Sequence, residues 1–216
     1  MNQDRIPADA GSSLNHFLSM AGLQPLDINT VAKFDAYLAL ILRWNSRMNL
    51  TAVRDPDEIL SRHFIESIAC ARHLPPRVRS LLDFGTGAGF PGIPIALCRP
   101  EIAVTLAESQ SKKAAFLQEA VRVLGLNASI FAKRAELLAY QFDCVTLRAV
   151  DRMEQAVAAA SNLVRVEGCL AVLTTRVQVP LVDKSAGSAF RWAEPYPLPG
   201  SEHRVLSLAF KADSPS

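Results

Sequence analysis

The residues best suited to chemistry lie in Leu81-Leu82-Asp83-Phe84-Gly85-Thr86-Gly87-Ala88-Gly89-Phe90-Pro91-Gly92-Ile93-Pro94. An apolar run ends in an acid, glycines recur at alternate positions, and two prolines mark the entry to a helix. A strand that stops at a glycine-rich turn and feeds a helix gathers bare backbone N–H groups in one concave spot. Glycine accepts φ > 0 there, and without a Cβ it lets a ligand touch the backbone. The stretch therefore reads as a ligand-binding turn at the carboxyl end of a strand, where open α/β sheets hold their ligands.

Two pocket types fit this turn. Gly87-Ala88-Gly89-Phe90-Pro91-Gly92 satisfies G-x-G-x-x-G, the dinucleotide fingerprint. Asp83-Phe84-Gly85-Thr86-Gly87-Ala88-Gly89 reads D-x-G-x-G-x-G, which resembles motif I of S-adenosylmethionine (SAM)-dependent methyltransferases. The acid favours the second. A carboxylate at Asp83 repels a pyrophosphate but can hold the ammonium of the methionine half of SAM, directly or through water.

Glu108 lies 19 positions beyond Gly89, at the end of the next strand pattern. Rossmann-like folds place a ribose-binding acid there, because a carboxylate accepts hydrogen bonds from both ribose hydroxyls. That supports a nucleoside ligand without separating NAD from SAM. Lys133-Arg134-Ala135-Glu136 follows the third strand, where this architecture meets the adenine ring. Arg148 ends the fourth strand, beside the group to be transferred. An arginine there carries a desolvation cost unless an anion faces it. The SAM carboxylate, an RNA phosphate or a neighbouring acid would each serve. The fourth strand lacks the N-P-P-Y type ending associated with exocyclic amine methylation, and no Pro-Cys pair is present for attack on a pyrimidine. No base is placed near Arg148, which suits a nucleophile needing no deprotonation, such as guanine N7.

Elements must carry these residues to one place. Apolar positions Val31, Phe34, Leu38, Ile41 and Leu42 keep a helical period over 29–45, with Asn29 or Thr30 as the cap. Asp55-Pro56-Asp57-Glu58 opens a second helix that runs to about Arg72, with Glu58 placed for a capping box. Residues 1–13 read as loose polar chain. Pro75-Pro76 divides the chain into a helical cap over 1–74 and a Rossmann-like domain over 75–216. In the latter, strands near 80–84, 102–107, 128–132, 143–150 and 169–174 alternate with helices, as a parallel sheet requires. A helix over 111–124 closes at Gly125. Segments 191–197 and 203–210 read as a terminal hairpin. The expectation is a mostly parallel seven-stranded sheet with an antiparallel strand near the C-terminus.

The chain has 216 residues, half of them apolar, and a net charge of +2. That permits a nucleic-acid partner without requiring one. Four dispersed cysteines form neither a disulfide framework nor a zinc motif. No secretory signal or membrane span is visible, so a cytoplasmic protein without a metal is expected, as a monomer. Seven arginines crowd 43–79 against four acids. Solvated helix faces explain many such tracts, and an RNA-binding face is the alternative.

The sequence resembles the 16S rRNA guanine-N7 methyltransferases once called glucose-inhibited division protein B. The carriers are Trp44-Asn45-Ser46-Arg47-Met48-Asn49-Leu50-Thr51, Arg62-His63-Phe64-Ile65-Glu66-Ser67, the stretch from Asp83 to Pro94, Arg134-Ala135-Glu136 and Leu147-Arg148-Ala149. The resemblance implies a Rossmann-like domain with an N-terminal helical cap. It implies methyl transfer from SAM to N7 of one guanine in 16S rRNA of the small ribosomal subunit. By motif match, Gly85, Phe90, Ala135, Glu136 and Arg148 would contact SAM, alongside Asp83, Gly87, Gly89 and Glu108 from the residue-level reading. Arg47, Asn49, Arg54, Arg62, His63, Lys112, Lys113, Arg134 and Arg176 are the RNA-facing candidates. The family usually has Leu-Lys-Gly after the fifth strand, where this chain has Leu173-Thr174-Thr175. Either Arg176 substitutes for the missing lysine or RNA affinity is weaker.

Overall fold

The structure is a computed structural model and describes residues 10–213. Of the loose terminus expected over 1–13, positions 1–9 lie outside the described residues. From Ala10 the backbone is already helical, in α1 (Ala10–Met20). Helix α2 (Ile28–Asn45) follows, one residue longer than its periodicity suggests. Its cap is Asp27, not Asn29 or Thr30, with Oδ1 accepting both of their N–H groups at 3.0 Å. Asp55 caps α3 (Pro56–Glu58) as expected, its Oδ1 accepting the Glu58 N–H at 2.9 Å. Glu58 does not return the bond; it faces Arg62 at 3.3 Å. The run continues through a π-helical turn, Ile59–Phe64, into α4 (Ile65–His73).

The sheet then assembles from β1 (Ser80–Phe84), β2 (Ala103–Ala107), β3 (Ala128–Phe131), β4 (Phe142–Arg148), β5 (Val164–Thr175), β6 (Phe190–Trp192), β7 (Tyr196–Pro197) and β8 (Arg204–Lys211). Their order is β3-β2-β1-β4-β5-β8-β6, with β7 also on β8. The first five strands pair in parallel, and β8 runs antiparallel to β5. Strands β6 and β7 occupy one edge of β8 in turn. The sheet therefore has seven positions across but eight strands, because its last edge is broken around Pro195.

Side chains alternate between two apolar layers, as the pleat demands. Leu81, Cys144 and Ala171 join one cluster, whereas Leu82, Val145 and Val172 join the other. Helices α5 (Gly92–Cys98) and α6 (Ser111–Leu124) cover the first face together with α1, α2 and α4. Gly125 ends α6 in the left-handed conformation at φ 59°. Helices α7 (Met153–Leu163) and α8 (Val179–Ala186) cover the second face. Phe34, Tyr37, Phe64 and Ile68 are fully buried in the same cluster as Leu81 and Ile93. Apolar residues from Leu14 to Leu74 thus pack into the sheet's own core.

Candidate functional site

Strands β1 and β4 are sheet neighbours whose crossovers leave in opposite directions, the switch point where such sheets open a crevice. A cleft of about 820 Å³ lies there, lined from the carboxyl ends of β1 to β4. The glycine turn forms its floor. Gly85, Gly87 and Gly89 have φ of 68°, 59° and 95°, conformations that few side chains tolerate. A Cβ at Gly87 would meet nothing nearer than Gly85 O at 4.0 Å, so the space above it is open. Gly85, Gly87, Phe90, Glu108, Ala135, Glu136 and Arg148 all line the cleft.

Asp83 and Gly89 do not. Asp83 is fully buried: Oδ1 accepts from Thr146 Oγ1 at 2.9 Å, and Oδ2 accepts from the Gly92 N–H at 2.8 Å and from the Thr86 hydroxyl. Its carboxyl ties the turn to α5 and β4, so the expected grip on a ligand ammonium is corrected to an internal role. Burial pushes it up to about 6, against the pull of those three bonds. Gly89 faces inward, where a Cβ would stand 2.7 Å from the Tyr37 hydroxyl. That hydroxyl donates to Ala88 O at 2.6 Å, so α2 holds the turn from below.

Glu108 is 7% exposed, and its Oε1 accepts the Gln110 N–H at 2.7 Å, fixing the carboxylate at the cleft wall. Ala135 and Glu136 stand in a 3-10 turn, Ala135–Leu137, that replaces a helix after β3. An open backbone cradle, a fixed carboxylate beyond β2 and an apolar step beyond β3 fit the methionine, ribose and adenine parts of SAM in that order.

At the other end stands a charged cluster. Arg148 donates to Glu66 Oε2 at 3.0 Å and to His63 Nδ1 at 2.7 Å, and its guanidinium lies 5.8 Å from the Phe90 ring centroid. Glu66 is 1% exposed, and its Oε1 lies 2.5 Å from Arg204 Nε, a charge contact without an aligned N–H bond. Arg148 therefore has its anion already, the neighbouring acid rather than a ligand. Phe90 is packed among Tyr37, His63 and Phe64 and is 5% exposed.

Burial, and then the Arg148 charge, press the His63 imidazole from 6.5 to about 3. The ring stays neutral at neutral pH. Because the folded value lies below the unfolded one, its stabilising contribution is complete above about 6.5 and is lost as pH falls. The stability gap between wild type and His63→Gln in urea unfolding is expected to shrink from about pH 7 to about pH 4. The slope is at most ~1.4 kcal/mol per unit. A gap that holds or widens would show a charged ring.

The RNA-facing candidates separate. His63, Lys113 and Arg134 line the cleft. Arg47, Asn49, Arg54, Arg62 and Lys112 are exposed on the elements that border it, with Arg54 donating to Asn49 Oδ1 at 2.9 Å. Arg176 is exposed beyond β5 and does not line the cleft; Thr174 is buried and donates to Gln178 at 2.9 Å. The arginine tract is not one face. Arg77 and Arg79 sit before β1, at the opposite end of the sheet, bonded to backbone carbonyls. Arg43 pairs with Glu119. Unassigned from sequence were Tyr37, Glu66 and Arg204; only Glu66 left a signal, three residues after His63 on one helical face.

Among the described residues no group of His, Cys, Asp and Glu can hold a metal, and no helix is long and apolar enough to cross a membrane. Residues 30–184 match the GidB family model, described as rRNA small subunit methyltransferase G. A protein of that name from Stenotrophomonas maltophilia (strain K279a) is 40% identical over 93% of this chain and 94% of its own. Another from Xanthomonas axonopodis pv. citri (strain 306) is 43% identical over 79% of each. Among solved structures, a SAM-dependent methyltransferase from Aquifex aeolicus superposes with a TM-score of 0.58 at 15% identity, over 73% of this chain and 94% of its own.

Proposed function

This chain belongs to the rRNA small subunit methyltransferase G family and is a SAM-dependent methyltransferase, and we propose that its acceptor is N7 of one guanine in 16S rRNA. The observation that carries the acceptor is that the two titratable groups touching Arg148, His63 and Glu66, are both already engaged. His63 is the titratable ring at that end of the cleft, and its Nδ1 accepts from Arg148, so its one proton sits on Nε2. Neither nitrogen has a free lone pair. An acceptor that must lose a proton finds no help from these two groups, whereas N7 of guanine carries none.

Bound SAM would supply an electrophilic methyl group to the N7 lone pair, with S-adenosylhomocysteine as leaving group and no proton transferred. The chain's own residues align and enclose. The Gly85–Gly87 backbone would seat the methionine portion, and Glu108 would accept from the ribose hydroxyls. Ala135 and Glu136 border the base. Positioning of this kind can lower a barrier by ~7–11 kcal/mol. Mass mapping of 16S rRNA nucleosides, with and without the protein, tests the acceptor. A new 7-methylguanosine is expected; a methyl group on any other atom would overturn the assignment.

The basic rim, Arg47, Arg54, Lys112, Lys113 and Arg134, supports an RNA phosphate track around the mouth, on ribosomal subunits in the cytoplasm. Arg47 and Arg54 have no acidic partner within ion-pair distance among the described residues. Removing either is expected to weaken RNA binding and to reduce the slope of log affinity against log salt by about 1. Titrations at several salt concentrations measure this; unchanged slopes in both variants would move the track elsewhere.

A further inference from the structure

Thr51 stands on the cleft wall between Leu50 and Ala52, and the loop around it is pinned. Asn45 Oδ1 accepts the N–H groups of both Leu50 and Thr51 at 3.0 Å, while Asn45 Nδ2 donates to Val53 O at 3.3 Å. The Thr51 hydroxyl terminates a directed chain. Arginine only donates, so the 2.7 Å bond makes His63 Nδ1 an acceptor and leaves the proton on Nε2. Nε2 lies 3.4 Å from Thr51 Oγ1 and donates to it. The Val53 N–H donates to the same oxygen at 3.2 Å. A hydroxyl has two lone pairs and one proton. Both lone pairs are engaged, and the proton has no acceptor among the described residues. Thr51 is thus an obligate donor at the mouth of the cleft, fixed by Arg148 through His63.

We infer that the Thr51 hydroxyl is the specificity-determining group for the acceptor base, donating to the carbonyl oxygen beside the ring nitrogen that takes the methyl group. The inference rests on the guanine N7 reading above. On that edge guanine presents N7 and O6, two acceptors, whereas adenine presents N7 and an amino donor. A hydroxyl that can only donate satisfies O6. It cannot turn to accept from the adenine amino group, because no lone pair is left. Two other polar groups of the cleft do not take this role: Glu108 is an acceptor, and Arg148 is engaged by Glu66 and His63.

The test uses small subunits reconstituted with 16S rRNA carrying either guanine or 2-aminopurine, which lacks O6, at the methylated position. The discrimination ratio is kcat/KM on the guanine substrate divided by kcat/KM on the 2-aminopurine substrate. The intrinsic reactivity of each base cancels when ratios are compared between enzymes. Thr51→Val is expected to lower the ratio about tenfold, the worth of one net hydrogen bond, and Thr51→Ser to keep it. A ratio unchanged in Thr51→Val, or lowered equally in Thr51→Ser, overturns the role of the hydroxyl. If Thr51→Val does not fold, judged by SAM titration, the comparison of Thr51→Ala with Thr51→Ser decides instead. Aniline scission at 7-methylguanosine in the wild-type reaction keeps the two readings apart. No scission removes the guanine N7 acceptor itself, whereas scission with an unaltered ratio removes Thr51 alone.

Discussion

Glu66→Gln is expected to destabilise the protein by about 3–5 kcal/mol, because it strips the anion from between two guanidinium groups. Glu66 is 1% exposed; the Arg148 and Arg204 side chains are 12% and 27% exposed. The carboxylate joins the end of β4 to the start of β8 through α4, three elements far apart in the chain. A glutamine of the same shape keeps one acceptor but leaves a net positive pair in a poorly solvated place. Against a typical total stability of ~5–15 kcal/mol the loss is large. Denaturant unfolding should show a lower midpoint with an unchanged slope. In a double-mutant cycle with Arg204→Gln, the second substitution should cost less in the Glu66→Gln background, by about 1–3 kcal/mol. Strict additivity would show that Arg204 stabilises through packing alone.

The same carboxylate shows why part of the site could be read from sequence and part could not. The placement of Gly85, Gly87 and Glu108 on one cleft was legible because it is local: a strand end, a turn and a strand end, each set by spacing along a few residues. The Asp55 cap and the Gly125 stop were legible for the same reason. Asp83 was assigned to the right turn with the wrong orientation. The pleat decides which way a strand residue points, and the loop cannot reveal that Thr86, Gly92 and Thr146 converge on it. The partner of Arg148 was invisible as an identity. Nothing local links Glu66 to position 148 or to position 204; only the sheet order, with β8 inserted beside β5, brings them together. Helix α8 and the π-helical turn were missed because the segments are short and their apolar spacing imposes no single period. The helical cap was drawn as a unit apart because prolines punctuate it. Yet Tyr37 reaches from it to the Ala88 carbonyl, so the glycine turn is held by a residue before the punctuation.

Gly87→Arg is expected to abolish SAM binding while leaving a folded protein, and the contrast with Gly92 is what gives that result its meaning. Gly87 lines the cleft, and the space above its Cα is open. A side chain there can extend only into the volume the methionine portion would fill. The backbone strain of a non-glycine residue at φ 59° adds about 1–3 kcal/mol, which most domains survive. Gly92 is the opposite case. Its N–H feeds Asp83 at 2.8 Å, and a Cβ would stand 2.7 Å from Asp83 Oδ2, buried beneath the turn. Gly92→Ala should therefore lose about 1–3 kcal/mol of stability through overpacking. It should weaken SAM only as far as the turn shifts. Calorimetric titration with SAM, paired with thermal unfolding of each variant, separates the two. If Gly87→Arg binds SAM at wild-type affinity, the ligand does not lie on the glycine turn. The cleft between β1 and β4 would then hold something other than the methyl donor.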